Sequence, residues 1–289
     1  METRTLETPG ASIVYDVEGP LPTADGRPPV FAIGQPMDAS GFRALAANLS
    51  DRTVITYDPR GLGRSTRSDG EVDNVPTVQA EDVHAVIGAL GAGPVDMFAS
   101  SGGAVTALAL VAAHPHDVRV LVAHEPPLVH VLPDAEAAQR AMARFRGAYS
   151  AKGWGAGMAA FIAVTSWRGE YTDAFFAQPE ADPAQFGMPS EDNGSRDDPL
   201  LSHRSDAVSS YHPDFVALAA APTRIVMAVG EESTGTLPAR ASVAIAERLG
   251  QQVTVFPSHH GGFVGGDTPY AGKPEAFAAK LREVLGDQD

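Results

Sequence analysis

Apolar residues follow two alternating patterns along the chain: short runs, and longer stretches with helical spacing. The short runs predict strands, since a strand buried on both faces is apolar throughout. They cover residues 29–33, 53–57, 94–99, 118–124, 223–229 and 253–256, and residues 12–17 alternate in the way that is typical of a strand. The helical stretches are 38–49, 77–90, 102–113, 237–249 and 274–285, with Asp38 as a suitable N-cap for the first. Strands alternating with helices predict an α/β fold, with a mostly parallel central sheet flanked by helices.

Residues 132–212 break this alternation. A helical pattern over 134–149 gives way to irregular sequence that holds both tryptophans of the chain, Trp154 and Trp167. We interpret this segment as an insertion, a helical cap over one edge of the sheet. The core would then consist of residues 1–131 and 213–289, with the cap at 132–212.

The sequence around Ser101 carries the strongest chemical signal. The predicted strand 94–99 leads through a serine and two glycines directly into the predicted helix 102–113. A sharp strand–turn–helix with a serine at its apex is typical of a nucleophile elbow, which needs small residues on both sides of the nucleophile. Ala99 and Gly103 stand two residues before and two residues after Ser101, whereas a nucleophile at Ser100 would have the bulky Phe98 two residues before it. We therefore predict Ser101 as the nucleophile.

Composition narrows the function classes. Among 289 residues there is no cysteine, which excludes disulfides, thiolate catalysis and Cys-based metal sites. The formal net charge of −15 argues against binding to nucleic acids or anionic membranes. The longest apolar run, 104–113, is too short to cross a bilayer, and the first residues do not resemble a signal peptide. We expect a cytoplasmic protein with a small-molecule substrate, and a homodimer is left open.

Five segments together make the chain resemble the α/β-hydrolase superfamily, in its serine esterase and lipase-like branch. They are residues 29–42, 57–65, 95–105, 253–263 and 273–277. The order of a nucleophile followed by a late histidine also agrees with that family. The resemblance implies an α/β-hydrolase fold, and a serine rather than an aspartate at the elbow argues against epoxide hydrolase or dehalogenase chemistry.

The resemblance also implies a general base and an oxyanion hole. His260 precedes Gly261-Gly262-Phe263 and suits the position of the base better than its neighbour His259. The backbone N–H of Gly102, directly after the nucleophile, would be one oxyanion donor. The other would come from the loop after strand 29–33; Pro36 has no N–H, so the expected donor is Gln35.

The acid of the expected triad remains open at this point. The family usually has an aspartate where this chain has Ser233, and a serine cannot stabilise an imidazolium as a carboxylate does. Glu232 is one residue away and could substitute. Glu125, rigidly flanked by two prolines after strand 118–124, lies where some branches place a glutamate, and we favour it slightly.

These residues predict a cofactor-independent, metal-free serine hydrolase that cleaves an ester-like bond through an acyl-enzyme. Acyl transfer, perhydrolysis and C–C hydrolysis on the same fold are alternatives, as is a binding module whose triad has decayed. Several apolar side chains could line the substrate pocket, although each could equally serve packing of the cap: Met37, Trp154, Met158, Phe161 and Trp167.

Overall fold

The computed structural model describes residues 1–267 and 270–286, and nine strands of these residues form one sheet. The strands are β1 (Glu2–Thr8), β2 (Ala11–Glu18), β3 (Val30–Gln35), β4 (Val54–Tyr57), β5 (Thr66–Arg67), β6 (Val95–Ser101), β7 (Val118–His124), β8 (Arg224–Gly230) and β9 (Thr254–Phe256). The order is β1-β2-β4-β3-β6-β7-β8-β9, with β5 paired to β2. The neighbouring strands β4-β3-β6-β7-β8-β9 pair in parallel, whereas β2 pairs antiparallel with β1, β4 and β5. The predicted mostly parallel α/β sheet is confirmed.

Five of the helices that flank the sheet follow the sequence pattern, whereas Phe215–Ala220 was not predicted to be a helix. They are α1 (Arg43–Ala47), α2 (Pro76–Leu90), α3 (Gly102–Ala113), α8 (Phe215–Ala220), α9 (Leu237–Arg248) and α10 (Pro274–Leu285). The predicted helix 38–49 is shorter than expected: Ala39–Phe42 is a 3₁₀ helix, and only α1 continues it. Asp38 caps that 3₁₀ helix, since its carboxylate accepts a 2.9 Å bond from the Ser40 N–H.

Two strands, β1 and β5, were not anticipated from the sequence. Leu6 is the only apolar residue of β1, so there is no hydrophobic alternation to detect. β1 is an edge strand held by seven residue pairs with β2, and Leu6 is the one apolar side chain that it packs against the core.

Side chains of β6 point alternately to two apolar layers, one on each face of the sheet. Met97 and Ala99 belong to the larger layer, which includes residues of α2 and α3. Phe98 belongs to the smaller layer with residues of α1 and α10, and it packs edge-on against Phe277. Burial on both faces explains why the central strands are continuous apolar runs.

Every residue of 132–212 is described, and none of them is in a strand. The segment contains α4 (Ala135–Lys152), α5 (Trp154–Ser166), α6 (Asp173–Phe176), α7 (Asp206–Ser209) and short 3₁₀ turns. Asp134 at its start forms an ion pair with Arg240 of α9. Among the described residues, no helix combines the length and apolarity needed to cross a membrane.

Candidate active site

Ser101 occupies a strained turn at the carboxyl end of β6. Its backbone has φ 57° and ψ −127°, a conformation that residues with a Cβ rarely adopt. Ser101 ends β6, and α3 begins at the next residue, Gly102. The turn places Ser101 at the N-terminus of a twelve-residue helix, where backbone N–H groups and the helix dipole favour negative charge.

The glycines after Ser101 are required by close backbone contacts. A Cβ on Gly103 would lie 2.6 Å from the Gly34 Cα and 2.7 Å from the Ile33 carbonyl oxygen. A Cβ on Gly102 would lie 2.7 Å from the Gln35 carbonyl oxygen. β3 therefore presses against the start of α3, which is the physical reason for the small-residue pattern of the elbow.

The neighbouring Ser100 points away from the partly exposed turn. Ser100 is buried, and its Oγ lies 3.3 Å from Nδ1 of His124, a residue with no solvent exposure. Ser101 is partly exposed by comparison. Of the two serines, Ser101 is the one that a substrate can reach.

Glu125 and His260 are brought together by the ends of two strands. Glu125 follows β7, His260 lies in the loop after β9, and Oε2 of Glu125 is 2.5 Å from Nδ1 of His260. The other carboxylate oxygen, Oε1, accepts a 2.8 Å hydrogen bond from the N–H of Gly230, at the end of β8 between them. Glu125 has no solvent exposure and, like Ser101, a positive φ of 51°. Both oxygens are therefore fixed.

The carboxyl group of Glu125 is ionised across the physiological range. Burial raises its pKa, but the hydrogen bonds with His260 and with the Gly230 N–H outweigh burial and lower the pKa to about 2. His124 behaves in the opposite way, because burial lowers its pKa to about 4 and keeps it neutral. The site thus holds one buried anion next to His260.

Glu232, the other candidate acid, is directed elsewhere. Its carboxylate is half exposed and lies 3.3 Å from the Lys273 Nζ. Its neighbour Glu231 accepts a 3.0 Å bond from the Ser258 N–H and so ties the loop after β8 to the loop that carries His260. Ser233 is buried and caps a turn through its carbonyl oxygen, which accepts from Thr236. In this structure the carboxylate of Glu232 therefore pairs with Lys273, whereas the carboxylate of Glu125 pairs with His260.

His259 also faces away from Glu125. Its Nδ1 accepts a 3.0 Å bond from the Gly261 N–H, and its ring packs against Tyr270 with centroids 5.1 Å apart. These contacts stabilise the loop. The structure places His260, not His259, against the buried carboxylate.

Gln35 and Gly102 lie side by side next to Ser101. Gln35 pairs with Ser101 in the β3–β6 register, and its Cβ is 3.0 Å from a Cβ placed on Gly102. Within the described residues, both amide atoms of the Gln35 side chain are buried without a hydrogen-bond partner. Such a group is costly to leave unpaired, so a polar partner beside the elbow would stabilise it.

Four of the five pocket candidates pack, partly buried, against the larger apolar layer, and three of these also contact other residues of 132–212. Phe161 packs edge-on against Phe145, and Trp167 against Phe175, each at 5.3 Å between centroids. Trp154 donates from Nε1 to Asp198 at 3.1 Å. Met158 is the fourth of this group, and Met37 lies against Gly34 and Gly41, at the end of β3 and in the turn that follows it.

His124 is a feature of the site that the sequence did not single out. Its ring contacts Ser100 on one side, and the centroid of its ring lies 5.8 Å from that of His260. Phe256 and Phe277 pack edge-on against it. The one available signal was its position directly before Glu125 at the end of a buried strand.

Residues 30–177 match the family model described as alpha/beta hydrolase fold. The chain belongs to this family. At the level of the family it is a hydrolase, and the match includes the β3 loop, the Ser101 elbow and Glu125.

Other α/β-hydrolases resemble the chain over nearly its whole length. An uncharacterized hydrolase of Bacillus subtilis (strain 168), YraK, is 27% identical over 97% of this chain and 95% of its own. A thermophilic esterase from Thermogutta terrifontis, with malate bound, is 21% identical with a TM-score of 0.64, covering 99% and 98% of the two chains. A proline iminopeptidase of Mycobacterium smegmatis is 20% identical with a TM-score of 0.62, also covering 99% and 98%. The two solved structures support the fold.

Proposed function

We propose that this α/β-hydrolase is a serine hydrolase that cleaves a carboxylic ester, lactone or related acyl bond of a small molecule through an acyl-enzyme. The proposal gives Ser101 the role of nucleophile, His260 that of general base and then acid, and Glu125 that of the carboxylate that orients His260. It requires no cofactor.

The observation that carries the proposal is the 2.5 Å contact between Oε2 of Glu125 and Nδ1 of His260. A carboxylate on Nδ1 fixes the tautomer in which Nε2 is the basic nitrogen, and it stabilises the imidazolium that forms when Nε2 takes a proton. The missing aspartate at Ser233 is thereby replaced from another loop. This argues against a decayed, non-catalytic site.

The proposed reaction has two halves. Ser101 Oγ attacks the acyl carbon while His260 Nε2 accepts its proton, and the tetrahedral oxyanion is stabilised by the N–H groups of Gly102 and Gln35. His260 then gives the proton to the leaving oxygen, and the acyl group stays on Ser101. Water, activated by His260, repeats the sequence and releases the acid.

The surroundings of the elbow favour a small substrate with a polar group. Val208 of α7 lies 3.1 Å from a Cβ placed on Gly102, so the 132–212 segment would roof the site and act as a cap. The buried, unpaired amide of Gln35 favours a substrate that offers it a hydrogen bond. Met37 borders the same loop and would supply an apolar contact.

A fluorophosphonate probe combined with a panel of aryl esters tests the proposal. The wild-type protein should gain one phosphonyl group, located on the peptide that contains Ser101, and should hydrolyse short esters. Added alcohol or peroxide in the same assay measures whether water or another acceptor takes the acyl group. Failure to label, together with no turnover of any ester, would contradict a serine hydrolase.

A further inference from the structure

Four ionisable side chains converge at the edge of the sheet opposite to the elbow. Glu81 and His84 lie three residues apart on α2, and His114 and Asp117 lie three residues apart in the turn between α3 and β7. Ligand atoms of His84, His114 and Asp117 all lie within 4.8 Å of one another. Two elements that are distant in sequence thus present a Glu-x-x-His and a His-x-x-Asp pair to each other.

Contacts within the group already link its members in pairs. Nδ1 of His84 lies 2.6 Å from Oδ2 of Asp117, and Nε2 of His114 lies 2.9 Å from Oε1 of Glu81. The two imidazole rings are face to face, with centroids 3.7 Å apart and planes 7° from parallel. The side chains of His84 and His114 are 43% and 25% exposed, so an ion can reach them from solvent.

The backbone that carries His114 and Asp117 is rigid. The Asp117 N–H donates to the His114 carbonyl oxygen at 3.1 Å, which closes the turn, and the Asp117 carbonyl oxygen accepts from Val95 at the start of β6. Thr223 donates from its hydroxyl to the carbonyl oxygens of Pro115 and Val118. Because the backbone of this turn is already fixed, ligand binding by its side chains costs little further conformational entropy of the backbone.

Two imidazoles and one or two carboxylates form a donor set that suits Zn²⁺. With neutral histidines, the carboxylates of Glu81 and Asp117 together balance the two charges of the ion, and the chain's net charge of −15 attracts cations. In a tetrahedral site with Zn–N and Zn–O bonds of about 2.0–2.1 Å, ligand atoms lie about 3.4 Å apart. Ligand atoms up to 4.8 Å apart would therefore need to approach by up to about 1.4 Å, and each imidazole must turn its plane toward the ion, which partly exposed side chains can do.

We infer that His84, His114 and Asp117, with Glu81 as the fourth ligand, form a site for Zn²⁺ or a similar borderline divalent cation. The ion would join α2 to the α3–β7 turn and stabilise the folded state. Asp117 bonds to the start of β6, and Ser101 ends that strand, six residues or about 20 Å further along. The ion would therefore take no direct part in hydrolysis, and the proposed site is independent of the proposed function.

Isothermal titration of untagged protein with Zn²⁺ tests this site, and thermal unfolding supplies a second readout. We expect saturable binding of zinc and a rise in Tm, because the ion binds only the folded site. His84→Ala and Asp117→Asn should each weaken binding at least ~10-fold and abolish most of the rise in Tm. His116→Gln, on the same turn but outside the group, should bind zinc as the wild type does.

His124, Glu125 and His260 form a second group whose ligand atoms lie close together, so the titration must separate the two. His260→Ala should retain the binding that His84→Ala loses. Absence of saturable binding in the wild type would overturn the inference. It would also be overturned if His84→Ala and Asp117→Asn bind like the wild type, or if binding disappears in His260→Ala instead.

Discussion

Glu125 Oε2 and His260 Nδ1 are 2.5 Å apart although the two residues are separated by 135 positions in the sequence. They come from the loops after β7 and β9, and β8 lies between those strands. The N–H of Gly230, at the end of β8, holds the second oxygen of Glu125. The carboxylate is thus fixed from two sides before any substrate binds.

Glu125→Gln should separate the two candidate acids. An amide keeps the shape but cannot stabilise an imidazolium, so we expect kcat to fall by about 10³- to 10⁴-fold. Glu232→Gln, the matched control, breaks only the half-exposed contact with Lys273 and should change kcat little. Steady-state kinetics on an aryl ester measure both. The opposite ranking would transfer the role to Glu232.

His260→Ala and His259→Ala form a second matched pair. Removal of His260 takes away the group held by Glu125, and we expect hydrolysis to fall by at least ~10³-fold with little change in circular dichroism. Removal of His259 breaks the bond from Gly261 and the contact with Tyr270, which should lower stability more than kcat. An inactive His259→Ala beside an active His260→Ala would refute the assignment of the base.

The close contact between β3 and α3 predicts a stability difference between two glycines. Gly103→Ala places a methyl group 2.6 Å from the Gly34 Cα, and we expect unfolding free energy to fall by roughly 1–3 kcal/mol. Gly147→Ala, inside α4 with open space around it, should raise the same quantity by about 0.5–1 kcal/mol. Urea denaturation compares them. Equal effects would mean that β3 and α3 are not tightly packed.

His124 predicts how stability depends on pH. Burial lowers its pKa from 6.5 to about 4. Between these pH values, His124 is therefore protonated in the unfolded chain and neutral in the folded chain. Its contribution to stability therefore falls as pH decreases from 6.5 to about 4. Glu125, with a pKa lowered from 4.5 to about 2, stabilises the fold above 4.5 and loses this effect only below that pH.

His124→Asn should accordingly flatten the decline in unfolding free energy between pH 6.5 and 4.5, measured by urea denaturation at several pH values. Burial also lowers the pKa of His130 to about 4. Because the variant keeps His130, part of the decline in unfolding free energy with falling pH should remain. Parallel curves for wild type and variant would show that His124 is not buried as a neutral group.

The sequence predicted the central sheet and the elbow because both are local patterns. A strand buried on both faces is an apolar run, and the contacts at Gly103 require a small residue at a fixed distance from Ser101. β1 escaped prediction because its residues are mostly polar and its partner is defined by backbone pairing with β2.

The identity of the acid was open for a different reason. Glu125 and Glu232 both follow strands that end at the same edge of the sheet, and only the three-dimensional arrangement tells which carboxylate reaches His260. Glu232 forms an ion pair with Lys273, which lies 41 residues further along the chain. The group around His84 was not predicted for the same reason. Glu81 and His84 on α2 are distant in sequence from His114 and Asp117, and only the fold brings the two pairs together.

The most direct test of the account compares Ser101→Ala with Ser100→Ala. The two substitutions remove the same hydroxyl from adjacent residues, but only Ser101 lies at the strained apex, whereas Ser100 is buried against His124. We predict that Ser101→Ala loses about 10³-fold or more in kcat/KM for an aryl ester while unfolding like the wild type. Ser100→Ala should stay within a few-fold of the wild type. An active Ser101→Ala would contradict the central claim, most clearly if Ser100→Ala were the inactive variant.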